Sequence, residues 1–240
     1  MSQSLWHRGV KVVFALAVAV IVAVLGWAVL SLPPEAEGLA PAVEAHRALS
    51  GVENPVTAVL LNFRAYDTLL EIAVLVLAGL GARALVGGER VQAQTTTEPV
   101  SPLLMGFLRL VAPVMVVVVG YLLWVGAYVP GGAFQAGALL GALGVLLLVS
   151  NVRWTRRIPD FLERTAVAVG LALFVIGGMA VMSAESRFLA FRPPTAKWLI
   201  LAIEAACVLT IGAVLCQLFA GGRLQAASEA PASTEDNGRS

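Results

Sequence analysis

Charge is what this sequence has least of. Asp, Glu, Lys and Arg make up 13% of its 240 residues, against 59% hydrophobic residues. Soluble domains carry about a quarter charged residues, so a water-soluble globular chain is excluded. The net charge is +1 and the basic residues are scattered through short polar segments, which excludes a basic patch and with it a nucleic-acid partner. Cysteine and histidine are nearly absent, with two of each. Cys207 and Cys216 lie on one apolar run, where helical spacing puts them on opposite faces about 13 Å apart along the axis. That excludes a disulfide between them and leaves the redox compartment open. His7 and His46 sit in polar flanks, Ser, His and Asp never cluster, and no glycine-rich phosphate loop follows a strand. With no nucleophile–base set, metal-ligand spacing or cofactor motif, the chain is expected to be no enzyme and to carry no metal or cofactor of its own.

What the sequence does have is apolar runs of membrane-crossing length. A span of about 30 Å of hydrocarbon takes close to 20 apolar residues. Six runs qualify, at 10–32, 68–86, 107–128, 133–151, 165–183 and 198–219, which predicts an all-α polytopic membrane protein with about six transmembrane helices. The first run follows Arg8 and Lys11, but its apolar core exceeds the 7–15 residues of a signal peptide and it lacks a clean A-x-A site, so an uncleaved helix is expected. Eleven of the 16 Lys and Arg residues, Arg83, Arg90, Arg153, Arg156 and Arg157 among them, then fall on the side of the N-terminus. The positive-inside rule places both termini in the cytoplasm. The 33–67 loop, with Glu35, Glu37, Glu44, Glu53 and Asp67, suits the outer face. Four segments follow: a two-helix piece at 1–87, a Thr-rich, Pro-bounded cytoplasmic linker at 88–106, a four-helix unit at 107–219 and a disordered tail at 220–240.

Ionisable groups inside spans are costly and by default mark ion paths, proton relays or buried pairs. Glu204 is the clearest, two turns into the last span. A carboxylate there has the property a proton or sodium relay needs, while Lys197, seven residues earlier on nearly the same face, offers a structural pairing instead. Asp67 and Glu71 form a second group behind Arg64. A helix starting at Asp67 would be capped by it, with Arg64 as counter-ion and Glu71 one turn deeper; capping leaves Glu71 unexplained.

Between the third and fourth runs stands Gly126-Ala-Tyr-Val-Pro130-Gly131-Gly132-Ala133-Phe134-Gln135-Ala136-Gly137. Pro130 presets φ and Gly131 permits a positive φ, which predicts a type II turn and a tight antiparallel hairpin. Ala133, Gly137, Gly141 and Gly144 then line one small-residue face, a surface that lets membrane helices approach closely. Gln135 is expected to hydrogen-bond to a neighbouring helix or to a turn carbonyl. Pro113 is expected to kink or start the third span, and Arg109 to anchor it at the membrane interface.

These residues carry a resemblance. Pro113, Tyr121-Leu122, Gly126, Pro130-Gly131-Gly132, Phe134-Gln135 and Gly137 resemble the pattern P…YLL..GH..PGGGFQGG of the MnhB-type (MrpB-type) domain of the multisubunit Mrp (Mnh) sodium/proton antiporters, over the 107–219 unit. The family His is Ala127 here and the third Gly of PGGG is Ala133, so a proton role for that His is not available to this chain. Asn54-Pro-Val56-Thr57-Ala58-Val59, Arg64, Asp67-Thr68 and Glu71 resemble a segment ending in DTxxE. It is found in the C-terminal part of the large subunit of these antiporters, and in a small subunit of membrane-bound hydrogenases. There Asn62 replaces an Asp and Ala65 a Gly. The resemblance implies a fused, multi-pass component of a sodium/proton antiporter complex in the bacterial inner (plasma) membrane, related to the antiporter-like arm of respiratory complex I. It implies large antiporter-like subunits bearing the main lysine/glutamate proton channel, small membrane subunits, sodium ions, protons and membrane lipid as partners. Asp67, Glu71 and Glu204 are the expected ion-path residues. Redox-driven complexes that share these modules, and a purely structural role, are the alternatives.

Overall fold

A computed structural model describes residues 2–32, 38–85, 101–150, 159–185 and 187–229. Every regular element among them is helical. The chain divides into two units, Met1–Pro41 and Ala42–Ser240.

The first unit is essentially one helix, α1 (Ser2–Leu30). Its Gly9–Leu30 stretch is long and apolar enough to cross a membrane. Side chains all around it, such as Val13, Phe14 and Trp27, are exposed, as expected of a helix with no polar face set in lipid.

In the second unit the expected outer loop is largely helical. Here α2 (Ala40–His46) runs into a 3₁₀ turn at Arg47–Leu49, and α3 (Pro55–Ala58) into a π-helical turn at Val59–Phe63. Then come α4 (Ala65–Leu85), α5 (Pro102–Val125), α6 (Ala133–Val149), α7 (Asp160–Glu185) and α8 (Ala196–Glu229). Of these, α4, α5, α7 and α8 are long and apolar enough to span a membrane, while α6 is a shorter apolar helix. With α1 that makes five such helices among the described residues and a sixth that, at 17 residues, covers only about 25 Å.

The core is built around α8, which packs against α4, α5, α6 and α7. Ile200, Ile203, Cys207, Ile211 and Val214 are almost fully buried along it, and both cysteines are free. The small-residue face of α6 does what its spacing predicts. A Cβ added at Gly137 would lie 2.7 Å from Ile211 Cβ, one at Gly141 2.9 Å from Leu215 Cβ, and one at Gly144 would collide with Cys216 Sγ. On the other side of α8, Thr210 Oγ1 donates to Ala166 O at 2.9 Å and accepts from Gly170 N–H at 2.9 Å.

Two boundaries differ from the sequence reading. Helix α5 begins at Pro102, not 107, because proline suits the first helical turn, where no N–H is needed; Pro113 therefore lies inside the helix. Helix α8 continues to Glu229, through residues assigned to the disordered tail. Arg223, Leu224, Gln225, Ala226 and Ala227 are good helix formers, and extending an existing helix needs no new nucleus. Residues 88–100 of the expected linker and the last residues, 230–240, lie outside the described residues.

Candidate functional site

The hairpin is a break in helical structure that descends into the bundle. After Val125 the chain does not resume a helix until Ala133. The positive φ falls at Gly132 (φ 103°, ψ −169°) and not at Gly131, which corrects the type II assignment. Gly131 is required by space instead, since a Cβ there would meet Leu122 O at 2.7 Å. The turn is folded back on α5, with Gly132 N–H donating to Leu122 O at 2.9 Å.

Irregular backbone buried between apolar helices must have its polar groups satisfied by protein, and the N-terminal piece supplies the donors. Asn54 Nδ2 donates to Gly126 O and to Val129 O, both at 2.9 Å. Thr57 Oγ1 donates to Gly126 O at 2.6 Å. The backbone N–H groups of Glu53 and Asn54 reach Ala127 O at 3.1 and 3.0 Å. Asn54 also caps α3, its Oδ1 accepting from Val56 N–H at 3.0 Å. The Asn54–Thr57 segment is thus a strap over the turn, and Ala127 offers it a carbonyl while its methyl group packs in the core.

Glu204 stands against the bottom of this turn. It lies eight residues into α8, about 12 Å from the start of that helix, and is 3% exposed. Its carboxylate accepts a hydrogen bond from the backbone N–H of Ala133, the first residue of α6. Helix N-termini present unpaired N–H groups and a partial positive charge, so the broken hairpin places a natural anion partner beside Glu204. Gly132 lets the carboxylate in, because a Cβ there would lie 2.8 Å from Glu204 Oε1. Glu204 Oε2 is buried and has no hydrogen-bond partner among the described residues. Lys197 does not pair with it. Its ammonium donates to Tyr128 Oη and sits 4.7 Å from the centre of that ring, at the mouth of the turn.

The other expected site residues lie apart from this carboxylate. Asp67 forms an ion pair with Arg64, as expected, but α4 starts at Ala65, so Asp67 sits in the first turn and is not its cap. Glu71, one turn deeper, is exposed on the side of α4. Asp67, Glu71 and Glu204 form no common ligand cluster among the described residues. Gln135 faces outward on α6 and hydrogen-bonds to none of the described residues, because the inner face of that helix is set by Ala133, Ala136, Gly137 and Gly141. Phe134 is half-buried against the core. Asn62, where the resembling segment has an acid, donates its amide to Phe191 O at 2.7 Å and to Ser50 O at 3.2 Å.

A second polar cluster, not anticipated from the sequence, occupies the opposite end of α8. Glu163 Oε1 accepts from Gln217 Nε2 at 2.8 Å and from Arg83 Nη1 at 3.3 Å. The available signals were Gln217 inside the last apolar run and Arg83 inside the second; Glu163 precedes the 165–183 run, and α7 begins at Asp160.

Among the described residues, five long apolar helices and a helical break set against a buried carboxylate define a polytopic α-helical membrane protein. The chain belongs to the family described as "Domain related to MnhB subunit of Na+/H+ antiporter", which matches residues 103–222. Residues 6–101 match a second family, MbhE, the E-type component of MBH, so the fused organisation holds. None of the curated proteins matches the chain. Among solved structures, a chain of the Mrp complex from Dietzia sp. DQ12-45-1b is similar, with a TM-score of 0.64 and 24% identity over 88% of this chain. At that identity the likeness concerns the fold. The present chain spans 26% of the length of that one.

Proposed function

We propose that this chain is a multi-pass subunit of a multisubunit Na+/H+ antiporter in the bacterial plasma membrane, with both termini cytoplasmic. It works with large complex I-like antiporter subunits and small membrane subunits and has no catalytic site of its own. The observation that carries this reading is Glu204, a buried carboxylate held at the N-terminus of α6 inside the family-matched region. A carboxylate with one anchored and one unpartnered oxygen can gain and lose a proton without the anchor being broken. Asp67 and Glu71 on α4, the latter exposed, are the further candidates for an ion path shared with neighbouring subunits.

Glu204→Gln tests it. Glutamine keeps an acceptor for Ala133 N–H and loses the titrating group. The expected outcome is normal assembly with sodium-driven proton movement in vesicles of the full complex reduced roughly a hundredfold or more, the scale of a proton-transferring side chain. Undiminished movement would remove Glu204 from the path.

The match of residues 6–101 to the MbhE family supports a second reading, in which the same chain serves a redox-driven ion pump. Purifying the complex through this chain separates the two. Iron–sulfur signals in its electron paramagnetic resonance spectrum would favour the pump, and a complex without redox centres the antiporter.

A further inference from the structure

We infer that Glu163 and Gln217 form a binding site for a monovalent hard cation, sodium, in which Arg83 is a tethered stand-in that the ion displaces. The site rests on its own geometry; the choice of sodium among monovalent cations rests on the antiporter reading.

Three helices meet here. Arg83 ends α4, Glu163 begins α7 and Gln217 lies near the membrane end of α8. A simpler account is that Arg83 and Glu163 complement the dipoles of their helix ends. It accounts for those two residues and leaves Gln217 unexplained. Gln217 is 4% exposed, and its Oε1 has no hydrogen-bond partner among the described residues. The orientation of its amide follows from the network: Nε2 is the only one of its two polar atoms able to donate to Glu163. A buried amide carbonyl is therefore left open beside a carboxylate, and buried acceptors without partners are costly enough to need a reason.

A Cβ added at Gly79 would lie 3.2 Å from Gln217 Oε1 and 3.3 Å from Val214 Cγ2, so a side chain on α4 at that position would press on the acceptor. The donor set is one carboxylate and one amide carbonyl, both hard oxygens, which suit alkali and alkaline-earth ions and not softer metals. No group of three or more His, Cys, Asp or Glu side chains stands together among the described residues. A single negative charge matches a single positive one. Arg83 already supplies that charge, but loosely. Its Nη1 is 3.3 Å from Glu163 Oε1, beyond the 2.7–2.9 Å of a tight charge-assisted bond. Its side chain is 25% exposed, so it can swing toward the interface on its flexible stem as the ion enters. Glu163, itself 34% exposed, then exchanges one counter-charge for another and is never left unpaired.

A fixed salt bridge and an exchangeable cation site make opposite predictions for Arg83. The full chain in detergent is heated in sodium chloride and in choline chloride of equal ionic strength. Sodium is expected to raise the unfolding midpoint of the wild type with a saturable dependence. Glu163→Gln should abolish the rise. Gly79→Ala, which changes no charge, should increase the half-saturating sodium concentration roughly tenfold, and Arg83→Gln should lower it. An equal rise in all variants, no rise in the wild type, or weakening by Arg83→Gln would overturn the site. Should Glu163→Gln fail to fold, the other two variants decide. The same order is expected in the sodium concentration that half-saturates proton movement by the full complex. Variants with one shared value in a sodium-responsive complex would sink the site and leave the antiporter reading standing. Ordered sodium binding by the chain, with no sodium-dependent proton movement by the complex, would do the reverse.

Discussion

The two ends of the Ala42–Ser240 unit meet the same difficulty, polar groups held within a hydrocarbon-facing bundle, by different means. At the turn end, backbone carbonyls are tied by Asn54, Thr57 and the amides of residues 53 and 54. Glycines 126, 131 and 132 leave no room for a side chain. Nearly everything there is backbone, and backbone held on several sides does not rearrange. At the opposite end the contacts are between side chains, Arg83 and Glu163 are partly exposed, and Gln217 keeps a spare acceptor. Long side chains can change partners at little cost. The turn end is built to hold one carboxylate in one place, and the other end to exchange what it holds.

That contrast can be broken by measurement. The largest effect is expected from Gly132→Ala. Its φ of 103° is strained for any residue with a Cβ, worth about 1–3 kcal/mol, and the new methyl would also meet Glu204 Oε1. The yield of monodisperse protein and its unfolding midpoint should both fall sharply. Asn54→Ala comes next, since it removes the α3 cap and two amide bonds to turn carbonyls, with an expected loss of about 2 kcal/mol. Asn62→Asp should cost about 1–3 kcal/mol, as an ionised carboxylate cannot donate to Ser50 O and Phe191 O. This loss should shrink at acid pH, where a protonated Asp regains one donor. Arg83→Gln is expected to change stability least, by at most about 1 kcal/mol without added sodium, in keeping with a partly exposed ion pair. If it destabilises as much as Asn54→Ala, the opposite end is as rigidly built as the turn, and the contrast fails.

Much of the fold was legible because hydrocarbon-length runs leave few alternatives to helices. The small-residue face was legible as well. Ala133, Gly137, Gly141 and Gly144 follow helical spacing, and the three glycines are where α6 meets α8. The Arg64–Asp67 pair was local enough to read from spacing. Less visible was anything requiring two distant segments at once. Asn54 and Gly126 are 72 residues apart, and Arg83 and Glu163 are 80 apart. Gln135 was misplaced because its polarity, not its helical phase, was used to place it. Lys197 was matched to Glu204 by phase alone, whereas Tyr128, from another segment, provides its partner.

The sequence by itself determined that this chain is helical, spans a membrane, carries a glycine-built hairpin and has a carboxylate at position 204. Those properties depend on local composition and period. Only the tertiary structure decided that the hairpin and the carboxylate form one site. It alone assigned the positive φ to Gly132, and it alone paired Gln217 with Glu163 while leaving the amide oxygen open. Sequence spacing along a helix sets which way a side chain points. What it meets there depends on where the other helices come to rest, and the close approach of α6 to α8 settles that.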